Sequence, residues 1–337
     1  MFTRLLFFIF LFFSLIDTPS IAQLPVFNQY SQNQLNINPA FAGYFDDEVK
    51  FDALYRNQAY ANINTTSFYN ASLQLKPFKE YMLDQDVLGF GINMYSTKSL
   101  SVYSQQSVSG SLSYLKSLSV DGSQSLSMGF QGRFNSKRID YTSLLFPNQF
   151  DVIGYNFQLP NNEPIQVINA NYFDINAGLM YSSKTETEEF TTGFSMYNLN
   201  QTSADKSMLQ NRQALTYMLH AGYSKYLSES GQVFLGILHS AMKSQNATSI
   251  IAAYGATPES NSLFGLNAGA VYQLNNSISP FINLHFNSIK VSFAYDILVS
   301  PDISYSQKST SMEFGIQYLF TSPSAEQSLA KKHMSCF

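Results

Sequence analysis

The stretch VKFDALYR, Val49 to Arg56, places Val49, Phe51, Ala53 and Tyr55 on one side of the chain and Lys50, Asp52 and Arg56 on the other. Only a strand separates apolar and charged residues with a period of two. The same split recurs far downstream. In SLSMGFQGRF, Leu126, Met128, Phe130 and Phe134 oppose Ser127, Gln131 and Arg133; in YFDINAGLMY, Phe173, Ile175, Ala177 and Leu179 oppose Asp174 and Asn176. Ile289, Val291, Phe293 and Tyr295 likewise oppose Lys290, Ser292 and Asp296, and Met312, Phe314, Ile316 and Tyr318 oppose Glu313 and Gln317.

Such runs number about fourteen, an even count as bacterial single-chain barrels have. They predict strands near 47–60, 66–78, 86–98, 101–118, 123–134, 172–183, 187–196, 213–226, 231–244, 247–255, 263–274, 277–286, 288–299 and 309–320. Many reach the 9 to 11 residues, roughly, that a tilted strand needs to cross hydrocarbon. The connections SVDGS, KTETE, SESG and FNS fall at one end as short turns. The two longest, 135–171 and 197–212, fall together at the other, which is the asymmetry of a membrane barrel with short periplasmic turns and longer external loops. The predicted fold is therefore all-β, a transmembrane antiparallel β-barrel of about 14 strands. A secreted β-sandwich is the competing fold, but long strands and abundant aromatics, 22 Tyr and 29 Phe, favour interface girdles on a barrel.

Composition agrees. Charged residues make up only 12% of the 337, against about 25% in ordinary soluble domains, while mean hydropathy is just -0.10. Apolar side chains are diluted with uncharged polar ones, as in a sheet with one oily and one wet face. A net charge of -4 argues against a nucleic-acid partner. The N-terminus carries Arg4, an apolar run from Leu5 to Ile16 and the small-residue site Ser20-Ile21-Ala22, which reads as a cleaved secretory signal peptide over 1–22, the run being too short for a membrane anchor. Residues 23–46 then form an N-terminal plug or periplasmic segment, 47–320 the outer-membrane barrel, and 321–337 a periplasmic tail.

Candidate chemistry is sparse. His220, His239, His285 and His333 have no metal-ligand spacing, and Cys336 is the sole cysteine, so no metal, cofactor or catalytic residue is expected. No Gly-x-Ser-x-Gly elbow is present, which leaves an outer-membrane hydrolase the least favoured reading. The informative charges are Lys50, Asp52, Arg56, Arg133, Asp174, Lys290, Asp296 and Glu313, all on the non-lipid face. They either line a watery lumen or pair with one another and with a plug; their mixed signs favour pairing.

The segment FNQYSQNQLNINPAFAG, Phe27 to Gly43, followed by ALYRNQ, resembles the N-terminal motif of the PorP/SprF family of Bacteroidetes outer-membrane proteins. FPNQFD, YFDINAGLMYSS, GFSMYNLNQ, LTYMLHAGYSKYL, VSFAYDI and KKHMSCF follow in family order, so the resemblance runs from about Phe27 to the C-terminus. It departs where Met312 and Ala59 stand in place of the family's His and Trp. The resemblance implies a non-enzymatic role with the type IX secretion and gliding-motility apparatus, exporting or tethering a secreted adhesin-type partner; a general transport channel is the alternative. Pro39 and Gly43 interrupt any strand in the motif, while Phe27, Tyr30 and Phe41 need cover and the Asn38-Pro39 turn sends the chain toward the first strand. Two placements remain open: a plug inside the barrel, which is favoured, or a periplasmic strap for a partner.

Overall fold

The computed structural model describes residues 27–60, 64–78, 85–100, 102–140, 144, 146–151, 154–156, 158–160, 167–202, 213–228, 231–243, 245–256, 264–299 and 309–320. The expected signal peptide, residues 23–26 and the tail 321–337 lie outside them.

The strands are β1 (Val49–Tyr60), β2 (Asn64–Leu75), β3 (Val87–Ser99), β4 (Tyr103–Ser117), β5 (Gln124–Asp140), β6 (Phe150–Asp151), β7 (Gly154–Tyr155), β8 (Val167–Lys184), β9 (Glu188–Tyr197), β10 (Thr216–Ser228), β11 (Gly231–Met242), β12 (Gln245–Ala256), β13 (Phe264–Gln273), β14 (Ser277–Phe286), β15 (Ile289–Leu298) and β16 (Ser309–Phe320). Among the described residues, β6 and β7 form a separate small hairpin and the other fourteen close one antiparallel barrel. Each barrel strand pairs with its neighbours in sequence, and β1 seals against β16 in the register Val49↔Phe320 to Tyr60↔Ser309. Closure leaves neither β1 nor β16 as a free sheet edge.

Alternation sets the two faces. Phe51, Met128, Phe130, Phe173, Ile175, Val291, Phe314 and Ile316 are exposed on the outside, while Lys50, Asp52, Gln131, Asp174, Ser292 and Glu313 are buried inside. This inverts a soluble protein's arrangement and is stable only where hydrocarbon bathes the outer wall. Strands as long as the 12-residue β1 and β16, tilted at about 40° with about 3.3 Å per residue, rise roughly 30 Å, enough to cross the roughly 25 Å apolar band.

The strand order matches the predicted one, with one correction of length. Positions 135–140 and 167–171, expected in a long loop, extend β5 and β8 in the register Asn135↔Tyr172 to Asp140↔Val167. Both faces of β5 are largely polar there (Asn135, Ser136, Lys137, Arg138, Asp140), so the alternation that marks a lipid-facing strand is lost although the ladder continues. The connection shrinks to 141–166.

Candidate functional site

The barrel's interior is occupied by the chain's own N-terminal segment. After Phe27 come a 3-10 turn at Tyr30–Gln32, an α-helical turn at Gln34–Ile37 and a second 3-10 turn at Pro39–Phe41. Asn38 starts the last turn: its Oδ1 accepts the Ala40 N–H at 2.9 Å, and Pro39 supplies the fixed φ that suits a first helical position. Pro39 also lacks an N–H, so the corner leaves no orphan donor in a dry place. Phe27, Tyr30, Leu35, Ile37, Ala40, Phe41 and Ala42 are all buried. Tyr30, Ile37, Ala40 and Phe41 form one cluster with Met180, Phe234, Leu238, Ile251, Ala253 and Val271 of the wall; Phe27 packs separately on Leu54 and Phe68.

Glycines let the segment touch the wall. A methyl group on Gly129 would sit 2.3 Å from the Ala40 nitrogen, one on Gly89 2.1 Å from the Ala42 carbonyl oxygen, and one on Gly178 1.9 Å from Asn38 Oδ1. Gly43, at φ +77°, turns the chain against Gly89 in a conformation that side-chain-bearing residues rarely adopt. Main-chain carbonyls in the segment, which no helix or strand satisfies, are met by serines and an amide of the wall. Ser195 Oγ donates to Ile37 O at 2.6 Å, Ser127 Oγ to Ala40 O at 2.7 Å, Gln131 Nε2 to Leu35 O at 3.1 Å, and Ser113 to Ala42 O. The Asn38 amide donates to the Leu179 carbonyl at 3.0 Å and lies 3.1 Å from His220 Nε2, whose ring packs 4.8 Å from Phe41.

The eight sequence-predicted charges all face this interior. Glu313 accepts two backbone N–H groups, from Asn28 at 2.9 Å and Gln29 at 2.8 Å. Asp296 accepts the Asn28 amide at 2.6 Å and the Arg56 guanidinium at 2.7 Å. Lys50 donates to Ser31 O at 2.7 Å and Gln34 Oε1 at 2.6 Å, with Asp52 at 3.7 Å; Lys290 donates to Ser31 Oγ at 2.7 Å. These six meet at the first half of the segment. Arg133 and Asp174 stand across the lumen from them: Arg133 reaches Asn36 Oδ1 at 3.3 Å and lies 5.3 Å over the Tyr197 ring, while Asp174 accepts Asn135 at 2.7 Å. Near the end of the barrel where β1 begins, Lys76 donates to Phe45 O, Lys184 pairs with Asp46 at 2.9 Å and the Tyr44 hydroxyl donates to Glu189 at 2.8 Å. Burial raises the Tyr44 pKa well above the ordinary phenol value and the Glu189 carboxylate adds to this, so the hydroxyl remains a donor at neutral pH.

Sequence reasoning named Phe27, Tyr30, Asn38, Pro39, Phe41 and Gly43, and all six make part of this contact. It missed Ser113, Ser127, Gln131, Ser195, His220 and the wall glycines. The available signal was phase: each of Gly89, Gly129 and Gly178 falls on the inward register of its strand, where an absent side chain marks a close approach. Among the described residues no group of three His, Cys, Asp or Glu side chains converges to hold a metal.

The strand order and closure define a class, that of closed antiparallel outer-membrane-type barrels, here with fourteen strands among the described residues. The toluene transporter TodX of Pseudomonas putida superimposes with TM-score 0.51 at 11% identity, over 86% of this chain and 93% of that one. A Pseudomonas aeruginosa FadL homologue gives 0.52 at 9%, over 84% and 93%, and the Ralstonia pickettii toluene transporter TbuX 0.50 at 8%, over 86% and 94%. At these identities the likeness is of fold alone. No curated protein matches the chain in sequence. The family model for the type IX secretion system membrane protein PorP/SprF matches residues 20–318, and the chain belongs to that family.

Proposed function

We propose that this protein is a non-enzymatic outer-membrane barrel of the type IX secretion and gliding apparatus that helps export a secreted adhesin-type partner or hold it at the cell surface. In this reading residues 1–22 are removed on export, 23–46 plug the barrel from within, and the end at which β1 begins and β16 finishes faces the periplasm, with the tail 321–337. The observation that carries it is the filled lumen. A solute channel needs a continuous aqueous path, whereas here buried aromatics and wall-to-segment hydrogen bonds occupy the interior from Phe27 to Ala42. The plug reading is supported over the strap by the same burial.

Recognition then falls to the end of the barrel opposite β1, where 141–166 and the connection after β9 emerge; barrels without edges contact partners through loops. Much of both connections lies outside the described residues. The test is a tagged pulldown from native outer membrane in gentle detergent with mass spectrometry of the co-purifying chains. Recovery of a large secreted surface protein or of type IX components is the expected outcome. A bare barrel that conducts small solutes overturns the reading in favour of the transport channel.

A further inference from the structure

On the outer wall, the apolar band is interrupted by a groove of about 720 Å³ across β2, β3, β4, β5 and β8. Its floor is a pair of glycines: the outward rung Ile92–Gly110–Gly132–Ile175 carries no side chain at its two central positions. A Cβ placed on Gly110 would meet nothing within 4 Å, so the space above it is open to the outside. Leu112, Phe130, Phe173 and Ile175 wall the groove, and all are exposed. The side chains of Leu112, Phe130, Phe173 and Ile175 point away from the segment in the lumen, which touches the other face of the same strands.

The rungs above the groove, toward the end opposite β1, supply the second observation. Met94–Val108–Phe134–Phe173 is apolar, Ser96–Gln106–Ser136–Asn171 is wholly polar, and Lys98–Ser104–Arg138–Asn169 carries two cations, Arg138 sharing its charge with Asp140 at 2.7 Å. Lys98 lies six residues along β3 from Ile92, as Arg138 lies six along β5 from Gly132. Six residues at about 3.3 Å and about 40° of tilt amount to a rise of roughly 15 Å, half of the roughly 30 Å bilayer core. An apolar trough that starts at mid-membrane and leads up to a basic edge has the dimensions and charge order of one lipid.

We propose that the groove is a binding site for an acyl chain of an anionic, phosphate-bearing lipid of the leaflet at the loop-bearing end, with Lys98 and Arg138 flanking its headgroup. The chain fills the space over Gly110, which no side chain of this protein fills, and runs beside the Phe173 ring that lies over Gly132, gaining dispersion contacts that a flat strand surface does not offer. The phosphate lies where the outward face turns from apolar to basic.

The experiment reconstitutes the full barrel in vesicles of equal parts phosphatidylethanolamine and phosphatidylglycerol, extracts it with mild detergent and counts retained lipids by native mass spectrometry. The wild-type barrel is expected to keep phosphatidylglycerol in preference. Gly110→Phe, or Gly110→Leu if the larger ring impairs assembly, fills the trough and is expected to lower retention of both lipids roughly tenfold, the equivalent of about two lost buried methylenes. Lys98→Glu is expected to retain lipid but lose the preference for phosphatidylglycerol. Unchanged retention in the Gly110 variants overturns the proposal. So does a dimer in the wild-type spectra that the Gly110 variants abolish while keeping their lipid, which assigns the groove to a second copy; an unchanged preference in Lys98→Glu overturns the headgroup assignment.

Discussion

At the residue scale, the interior is an ionic network assembled around the backbone and side chains of the chain's own N-terminal segment. Arg56 and Asp296 are both buried and 2.7 Å apart, so removing one partner breaks a buried ion pair. Asp296→Ala is expected to lower stability by about 3 to 5 kcal/mol, while the double replacement Arg56→Met with Asp296→Leu recovers most of it; a double-mutant cycle on vesicle-embedded protein in urea checks this. Glu313 acts differently, as an acceptor for the Asn28 and Gln29 N–H groups. Glu313→Leu leaves both donors unmet at a cost of about 1 to 3 kcal/mol each, and faster proteolysis within the N-terminal segment is the expected readout. The glycine contacts are tighter still. A Cβ at Gly129 collides with main chain, not with a side-chain end that can swing aside, so Gly129→Val is expected to displace the segment and lower the Tm of the barrel, whereas Gly110→Val, whose Cβ meets no protein atom within 4 Å, leaves the segment in place and lowers the Tm far less. Differential scanning calorimetry of the pair separates the two.

At the element scale, each strand carries two messages in alternate positions, and one of them was far easier to read. The outward message is simple: Leu126, Met128, Phe130 and Phe134 need only be apolar, because lipid accepts any such side chain. Strand number and order were legible from it. The inward message of Ser125, Ser127, Gly129 and Gln131 looks like generic polarity until the segment they meet is known. It fails beyond Phe134, where the outward face turns polar and the ladder nevertheless runs on to Asp140. That boundary is measurable. Phe130→Lys, in mid-band, is expected to destabilise by about 2 to 4 kcal/mol, and Ser136→Lys, two rungs beyond Gly132, by about 0 to 1 kcal/mol, both read as shifts in the unfolding midpoint of the vesicle-embedded barrel.

At the scale of the whole molecule, a sheet closed by β1 on β16 encloses a segment that precedes β1 in the chain. The need for cover was legible in the motif: Phe27, Tyr30 and Phe41, interrupted by Pro39 and Gly43, could neither form a strand nor stay in water. Depth was not, since which rung meets which residue depends on the register of fourteen strands and on a tilt that no local pattern encodes. The hydrogen bonds of Ser113, Ser127, Gln131 and Ser195 cross from strands far along the chain to carbonyls near its start, so the enclosed segment and the barrel are expected to unfold as one cooperative unit. A barrel so filled is expected to conduct less than an empty one of equal strand number. Single-channel recording in a planar bilayer tests this directly. The intact protein is expected to show no open-channel steps and the variant lacking residues 24–45 a steady conductance; open-channel steps of equal size in both would contradict a lumen closed by its own chain.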